Sequence, residues 1–363
     1  MPAATPTDAR FMARAMQLAD KGRYTTDPNP RVGCVLVRDH EIIGEGWHAR
    51  AGHAHAEIEA LKNLPDAEGA TAYVTLEPCS HHGKTPPCCD ALINAGITRV
   101  VAAMQDPNPL VSGGGLAKLK QAGIEVSCGV LQDAAEALNR GFIKRMQENR
   151  PFVRSKLAAS LDGRTAMASG ESKWITGEQA RADVQRLRAE SSAILTGIDT
   201  VLADDPLLTA RVDFDVVQPL RVIVDSRLRM PLTAKLLSEP GRCLILACSP
   251  NQQKADSLRK AGFEVVCLTD KNGRLDLHEV MLFLAGRQIN EVMVEAGAVL
   301  NGALLAENLV DEMIVYMASC VLGDQGRGLF HVPGLQKMSD KKNLQLRDVR
   351  QIGRDLKLTL TPG

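Results

Sequence analysis

Apolar positions in the first part of the chain switch between a helical period and short continuous runs. In "DARFMARAMQLADKG", Phe11, Ala15, Leu18 and Ala19 share one helical face, and Gly22 supplies a stop. "VGCVLV" (32–37) and "EIIGEGWH" (41–48) read as two strands joined by the turn Arg38-Asp39-His40. The pattern then predicts a helix over "AEIEALKNL", a strand over "TAYVTLEP" (71–78) and a helix over "CDALINAG" ended by Gly96. A strand "RVVAAMQD", a helix "GLAKLKQAG" and a strand "EVSCGV" follow. Strands that alternate with amphipathic helices bury a sheet against helical layers, so the pattern predicts an α/β fold.

The polar segment "QENRPFV" (147–153) follows the helical pattern of "AEALNRGFIKRM" and carries Pro151. It marks a boundary between domains 1–149 and 150–363, in keeping with a chain too long for one typical domain. Beyond it "FVRSKLAAS", "SAILTG", "RVIVDS", "CLILACS", "EVVCL", "EVMVEAG" and "EMIVYMAS" read as strands. Helices fall between several of them, for example "EQARADVQRLRAE" and "NGALLAENL", and "NLQLRDVRQIGRDLKLTLTP" reads as a hairpin about Gly353. The second part is therefore another α/β domain, and neither part carries a repeat or a low-complexity segment.

Composition narrows the function classes. Lys and Arg total 43 and Asp and Glu total 43, so the formal net charge is zero, and aromatics are 3%. A nucleic-acid binder normally shows a basic excess and aromatic stacking platforms, so no nucleic-acid partner is expected. No run approaches the roughly 20 apolar residues of a membrane span, and the N-terminus has no apolar run of signal-peptide type. The expected location is the cytoplasm, with no membrane partner. Nine cysteines, an odd number, then point to metal binding or catalysis rather than a disulfide framework.

The chemistry concentrates in "GHAHAEIEAL" and "TLEPCSHHGKTPPCCDALI". Zinc takes Cys thiolate and His nitrogen in a tetrahedron, and a catalytic site leaves one position open. His55 and Glu57 lie two residues apart, about 200° in a regular helix, so both face one site only where a helix is just starting. His55-Ala56-Glu57 and Pro78-Cys79 match the H-x-E and P-C parts of the zinc nucleobase deaminase signature. The third part departs: His82 stands three residues after Cys79, and the next cysteines are Cys88 and Cys89. Pro87 suits a first helical turn, where a thiol is acidified and binds metal readily. Adjacent helical residues diverge by about 100°, so only one of Cys88 and Cys89 ligates. A lone H-x-E is common by chance, and His48, His53, His81 and His82 read as surface or pocket-lining residues rather than ligands. The loop between Cys79 and Cys88 offers a wall for a substrate pocket.

Together with "TTDPNPRVGCVLV" and "MQDPNPLVSGGGL", these segments closely resemble the deaminase domain of the bifunctional riboflavin-biosynthesis deaminase/reductases. The resemblance implies a cytidine-deaminase-like three-layer domain. It implies His55, Cys79 and Cys88 as Zn2+ ligands, with Cys89 a neighbour and Glu57 the proton shuttle. The implied substrate is a diaminopyrimidine ribosyl phosphate, deaminated to a uracil. Asp27 departs from the family, many members of which carry His before Pro-Asn-Pro.

The second part offers no G-x-G-x-x-G and no Walker A segment. In "VMVEAGAVLNGALL", a strand ending at Glu295-Ala296-Gly297 and a helix starting near Asn301-Gly302 form the nearest thing to a phosphate loop. Asp204 and Asp205 in "VLADDPLLT", taken alone, cap or solvate a loop. In order, "KLAASLDGRTAMASGESKWIT", "ILTGIDTVLADDPLLTAR", "VIVDSRLRMP" and "VEAGAVLNGALL" resemble the reductase half of the same family. That implies a dihydrofolate-reductase-like domain using NADPH. The resemblance carries cofactor contacts to Ala158, Trp174, Thr200, Asp204 and Ser226. It adds the turn made of Gly297, Ala298, Val299, Leu300, Asn301, Gly302 and Ala303. It carries substrate contacts to Ser172, Arg188, Leu208, Arg211 and Glu295. An arginine pair suits a ribose phosphate, because guanidinium binds phosphate in a fork. Without the family, Arg188 on the polar face of a helix reads as a solvated charge.

The implied second reaction is hydride transfer from NADPH to C1′ of the ring-opened ribose, giving a ribityl chain. The family also implies a homo-oligomer. Two rivals remain at the level of residues: a nucleobase or nucleic-acid deaminase with an unrelated second domain, and a structural zinc module that binds RNA or protein. A closed four-ligand site would favour the last, and only three ligands plus Glu57 are offered.

Overall fold

The computed structural model describes residues 5–80, 87–109, 111–248, 251–268 and 270–363. The chain folds as two compact units, Met1–Asn149 and Arg150–Gly363. In the first, Asp39 and His40 both adopt positive φ (52° and 64°), which folds β1 (Gly33–Arg38) back onto β2 (Glu41–Trp47). Consecutive left-handed residues match the right-handed twist of a hairpin. β3 (Thr71–Val74) pairs antiparallel with β1, and β4 (Arg99–Ala102) and β5 (Glu125–Cys128) extend the sheet in parallel, in the order β2-β1-β3-β4-β5.

Side chains alternate across this sheet and so fix three layers. Cys34 and Leu36 pack with Ala60 of α2 (Ala56–Leu61), Leu92 of α3 (Cys88–Asn94) and Leu119 of α4 (Gly114–Gln121). Val35 and Val37 pack on the opposite face with Phe11, Met12 and Leu18 of α1 (Pro6–Asp20) and Ala135 of α5 (Gln132–Leu138). The helical pattern predicted across residue 139 is broken there, and α6 (Arg140–Glu148) starts anew. The buried Asn139 side chain accepts from the Arg31 amide (2.8 Å) and donates to the Arg31 carbonyl (2.9 Å), a tertiary bond that overrides local propensity.

Asp8 joins the first layer to the sheet. Its buried carboxylate closes a capping box with Thr5, accepts from Tyr73 (2.9 Å) and takes a fork of bonds from Arg99 (2.7 and 3.2 Å). The Arg99 guanidinium holds the Asp8 carboxyl well below the usual carboxylate range, and the Thr5 and Tyr73 bonds add to it. A lowered folded-state pKa contributes stability above the unfolded value of about 4 that is lost as pH falls. Asp8→Asn is expected to cost about 2 kcal/mol at neutral pH. Urea titrations should show the gap between wild type and variant closing below about pH 4; a gap that persists unchanged into acid would contradict this role.

The second unit contains β6 (Phe152–Ser160), β7 (Arg164–Ala166), α7 (Glu178–Glu190), β8 (Ala193–Gly197), α8 (Ile198–Asp204), β9 (Leu220–Val224) and β10 (Cys243–Ala247). It continues with α9 (Gln252–Lys260), β11 (Glu264–Cys267), the short pair β12 (Asp270–Lys271) and β13 (Arg274–Leu275), and α10 (Leu277–Gly286). β14 (Glu291–Val294), α11 (Ala298–Ala306), β15 (Glu312–Ala318), β16 (Arg327–Gly328), β17 (Leu344–Ile352) and β18 (Asp355–Pro362) complete it. The main sheet has the order β11-β10-β9-β8-β14-β6-β15-β18-β17, parallel up to β15 and antiparallel at the terminal hairpin, with β7 and β16 forming a separate ribbon. Leu195, Val222, Leu246 and Val294 bury against α10 and α11 on one face, and Ile194, Ile223 and Ile245 bury against Ala255 and Leu258 of α9 on the other. Among the described residues, no helix is long and apolar enough to cross a membrane.

Candidate functional site

In the first unit the site is built where α2 begins. Gly44 and Gly46 lie on one face of β2, and a Cβ at Gly46 would sit 2.3 Å from both the Ala56 carbonyl oxygen and the Ala60 amide nitrogen. Only glycine lets α2 approach so closely, and that approach sets the height of its first turn. His55 is the N-cap with extended backbone (φ −75°, ψ 164°), so the pair His55 and Glu57 straddles the helix start, as the two-residue spacing requires. Pro87 is also an N-cap, one position earlier than the first turn predicted for it, and Cys88 is the first residue of α3.

The ligand atoms of His55, Cys79 and Cys88 lie within 4.8 Å of one another. His55 Nδ1 is 3.2 Å from Cys88 Sγ and 3.7 Å from Cys79 Sγ. Tetrahedral zinc bonds of about 2.0–2.3 Å imply ligand-to-ligand edges of roughly 3.5–3.8 Å. Two thiols and one imidazole at these separations fit zinc with three protein ligands. Cys89 points elsewhere: its thiol reaches the carbonyls of Pro78 (3.3 Å) and Gly115 (3.5 Å) inside the core. A bond from the Cys88 thiol, with His55 and the Cys88 amide, lowers Cys79 to about 4, while Cys88 moves far up. Glu57 is buried beside them, and that burial raises its carboxyl above the usual range.

Neighbouring side chains shape the pocket. His48, predicted as a surface or pocket-lining residue, is buried and is not among the clustered ligands. Its Nδ1 meets the Ala54 carbonyl (3.0 Å), its Nε2 meets the Asn29 amide (3.0 Å), and its ring packs edge-on against His55. His53 is exposed. His81 and His82 lie outside the described residues, as does most of the loop offered as a pocket wall. Sequence reasoning missed Glu77. Its buried carboxylate accepts amides from Asp106 (3.0 Å), Gly113 (2.9 Å), Gly115 (2.7 Å) and Leu116 (3.2 Å), which ties the 106–116 segment to the strand end bearing Cys79. Its only signal was an acidic residue one step before Pro78-Cys79.

The second unit holds a cleft of about 2340 Å³ at the C-terminal ends of its parallel strands. Ala158, Trp174, Thr200, Asp204 and Ser226 line it, as do Ser172, Leu208 and Arg211. The β14–α11 turn enters through Gly297, Ala298, Val299, Leu300 and Ala303. α11 starts at Ala298, three residues before the start near Asn301 that the sequence suggests, and Gly297 is an N-cap without a side-chain cap. Its first amides can therefore serve an anion. Asn301 and Gly302 do not line the cleft. Asn301 is buried, donates to the carbonyls of Ala296 (2.7 Å) and Gly297 (3.2 Å) and accepts from Ser155 (2.7 Å), so it shapes the turn from behind. A Cβ on Gly302 would come within 2.0 Å of the His331 carbonyl, so that glycine is a packing contact.

Arg188 is not solvated. It is buried and forks onto Glu295 (2.5 and 3.0 Å), while its remaining arm reaches the Thr209 carbonyl (3.0 Å). Glu295 also takes Lys156 at 3.0 Å. Burial alone would raise the Glu295 carboxyl, but Arg188 and Lys156 outweigh it and hold the group well below the ordinary range. The predicted arginine pair is thus split, with Arg188 committed to Glu295 and Arg211 exposed at the cleft. Lys156 escaped the sequence reading, although its two-residue spacing from Ala158 on one strand places both on one face.

A family model described as "Cytidine and deoxycytidylate deaminase zinc-binding region" matches residues 5–104, and one described as "RibD C-terminal domain" matches residues 151–358. The chain is 51% identical over 367 residues to riboflavin biosynthesis protein RibD of Escherichia coli (strain K12), covering 97% of this chain and 99% of that protein. It is similar to a solved structure of Acinetobacter baumannii RibD (47% identity, TM-score 0.92, covering 98% of this chain and 99% of that one). It is also similar to the Thermotoga maritima diaminohydroxyphosphoribosylaminopyrimidine deaminase/5-amino-6-(5-phosphoribosylamino)uracil reductase (35% identity, TM-score 0.89, covering 98% and 99%).

Proposed function

This chain belongs to the RibD family of riboflavin-biosynthesis proteins, and from that membership we propose which of its residues carry each of the two reactions. It is a bifunctional deaminase and reductase, and its cofactors are Zn2+ and NADPH. We assign deamination of 2,5-diamino-6-(5-phosphoribosylamino)pyrimidin-4(3H)-one to residues 1–149. Reduction of 5-amino-6-(5-phosphoribosylamino)uracil falls to residues 150–363. The observation that carries the division is the His55–Cys79–Cys88 cluster with Glu57 buried beside it, in a unit separate from the cleft.

In the deaminase unit, His55 Nδ1 and the sulfurs of Cys79 and Cys88 would hold the zinc. Bound zinc supplies Lewis acidity that lowers the pKa of a water toward about 7. Glu57 accepts the proton of the attacking water and returns it to the departing ammonia; burial raises its proton affinity, which suits a carboxyl that must both take and give. His48 and Asn29 hold each other and stiffen the wall beside the ligands. Cys88→Ser is expected to lower zinc content below stoichiometric and abolish ammonia release, whereas Cys89→Ala keeps zinc and loses about 1 kcal/mol of stability. Metal analysis of both purified variants checks this; zinc lost only from Cys89→Ala would reverse the assignment.

In the reductase unit, bound NADPH supplies the hydride. The uncapped first turn of α11 would hold its phosphates, with Ala158 and Thr200 lining the same cleft. Arg211 would meet the ribose phosphate, while Arg188 and Lys156 fix Glu295, which lines the cleft and would bind the ribose. The function is tested by offering the diaminopyrimidine ribosyl phosphate with NADPH and following ammonia and NADPH together. One ammonia released per NADPH oxidised is expected. Oxidation of NADPH without ammonia would sink the deaminase assignment.

The formal net charge of zero supports a small-molecule substrate rather than a nucleic acid, and nine free cysteines support the reducing cytoplasm. We further infer a homo-oligomer. The edge strand β17 exposes Leu344, Leu346 and Val349, apolar surface of the kind that subunit interfaces cover.

A further inference from the structure

The cleft contains a feature that the assignments above leave unused, at the end of β9. In dinucleotide-binding α/β folds, an acidic residue after a strand reads the ribose 2′-hydroxyl of NAD, and an arginine nearby accommodates the 2′-phosphate of NADP. Here the acidic residue following β9 is Asp225, whose carboxylate is committed to the loop that follows it. It is 0% exposed, and its two oxygens accept the amides of Arg229 (2.9 Å) and Met230 (2.9 Å).

After it, Ser226 and Arg227 also line the cleft. The Ser226 hydroxyl accepts the Leu275 amide at 3.2 Å, which ties this loop to the short β12–β13 hairpin. That tie brings Arg274, one residue before Leu275, to the same end of the cleft. Both Arg227 and Arg274 are exposed and line the cleft. The third arginine nearby, Arg229, is engaged with Asp199 at 2.7 Å. Among the described residues, neither Arg227 nor Arg274 has an ion-pair partner.

We propose that Arg227 and Arg274, joined through Ser226, form the clamp for the 2′-phosphate of the dinucleotide and so set its preference for NADPH over NADH. The inference rests on the reductase reading above. A dianionic phosphate attracts two guanidinium groups that pair with no carboxylate among the described residues, and each can offer a fork of N–H donors. The buried Asp225 holds the turn that bears Arg227.

The test is equilibrium binding to the full-length protein, measured by calorimetry with NADPH, NADH and 2′,5′-ADP. Arg227→Ala/Arg274→Ala is expected to weaken NADPH and 2′,5′-ADP by about 10- to 100-fold and NADH by less than about twofold. Both positions are exposed, so the variant should fold; thermal unfolding checks this, and Arg227→Lys/Arg274→Lys should recover part of the NADPH affinity. Equal weakening of NADPH and NADH, or no change in either, overturns the clamp while leaving the reductase reading intact. Wild type that binds neither dinucleotide overturns the reductase reading, and the clamp with it.

Discussion

Glu57→Gln is expected to lower the rate of ammonia release by about 10³-fold while zinc remains bound at wild-type stoichiometry. The amide keeps the shape of the side chain but has no basic oxygen to accept the water proton and none to return it to ammonia. Glu57 is not one of the three clustered ligands, so the metal should stay. Folding should not suffer either, because burial works against the charged form of Glu57 and the amide removes that cost. The readout is kcat for ammonia release beside zinc content, with NADPH oxidation on pre-deaminated uracil substrate as an internal control. That control should be unchanged, since the reductase cleft lies wholly within the second unit. Loss of zinc from Glu57→Gln would instead make the residue a support for the metal site, and a small rate effect would remove it from the proton path.

The reach of the sequence differed between the two sites for identifiable reasons. The His55–Cys79–Cys88 cluster was legible because its pattern is local: H-x-E and P-C pick out two candidate ligands by spacing alone. The helix-start argument for His55 and Glu57 needed only the angle per residue, and the structure has α2 begin at Ala56. The choice between Cys88 and Cys89 needed the family resemblance, because an angular argument says only that one of them faces the site. In the second unit the strands were legible from apolar runs such as "RVIVDS" and "CLILACS", which became β9 and β10. The state of Arg188 was not. A helix surface pattern cannot reveal that a carboxylate on a distant strand will bury a charge, and Glu295 is 107 residues away in the chain. Asn301 and Gly302 sit behind the cleft lining for a related reason: α11 starts three residues earlier than the glycine suggested, and the two residues meet Ser155 and His331.

The same buried charges make Glu295→Ala the most damaging substitution expected in the second unit. Removing the carboxylate strands Arg188, buried and bonded to it through two nitrogens, and deprives Lys156 of its partner. Breaking a buried ion pair from one side costs about 3–5 kcal/mol, because an uncompensated charge remains. The urea midpoint of the second unit should fall accordingly, and NADPH oxidation should be lost while ammonia release continues. Since a destabilised reductase would also lose activity, the decisive experiment is a double-mutant cycle with Arg188→Met. If the cost of Glu295→Ala lies in the stranded guanidinium, removing Arg188 as well should recover much of it, giving a coupling above about 1 kcal/mol. Restored stability without restored NADPH oxidation would separate the two roles and place Glu295 in the reaction as well as in the fold. The pH dependence has a definite sign. The folded-state pKa of Glu295 is depressed, so its contribution is full above the unfolded value of about 4.3 and is lost as pH falls below it. Wild type should therefore converge on the variant in acid, and additive effects in the cycle would mean that Arg188 and Glu295 act on stability independently.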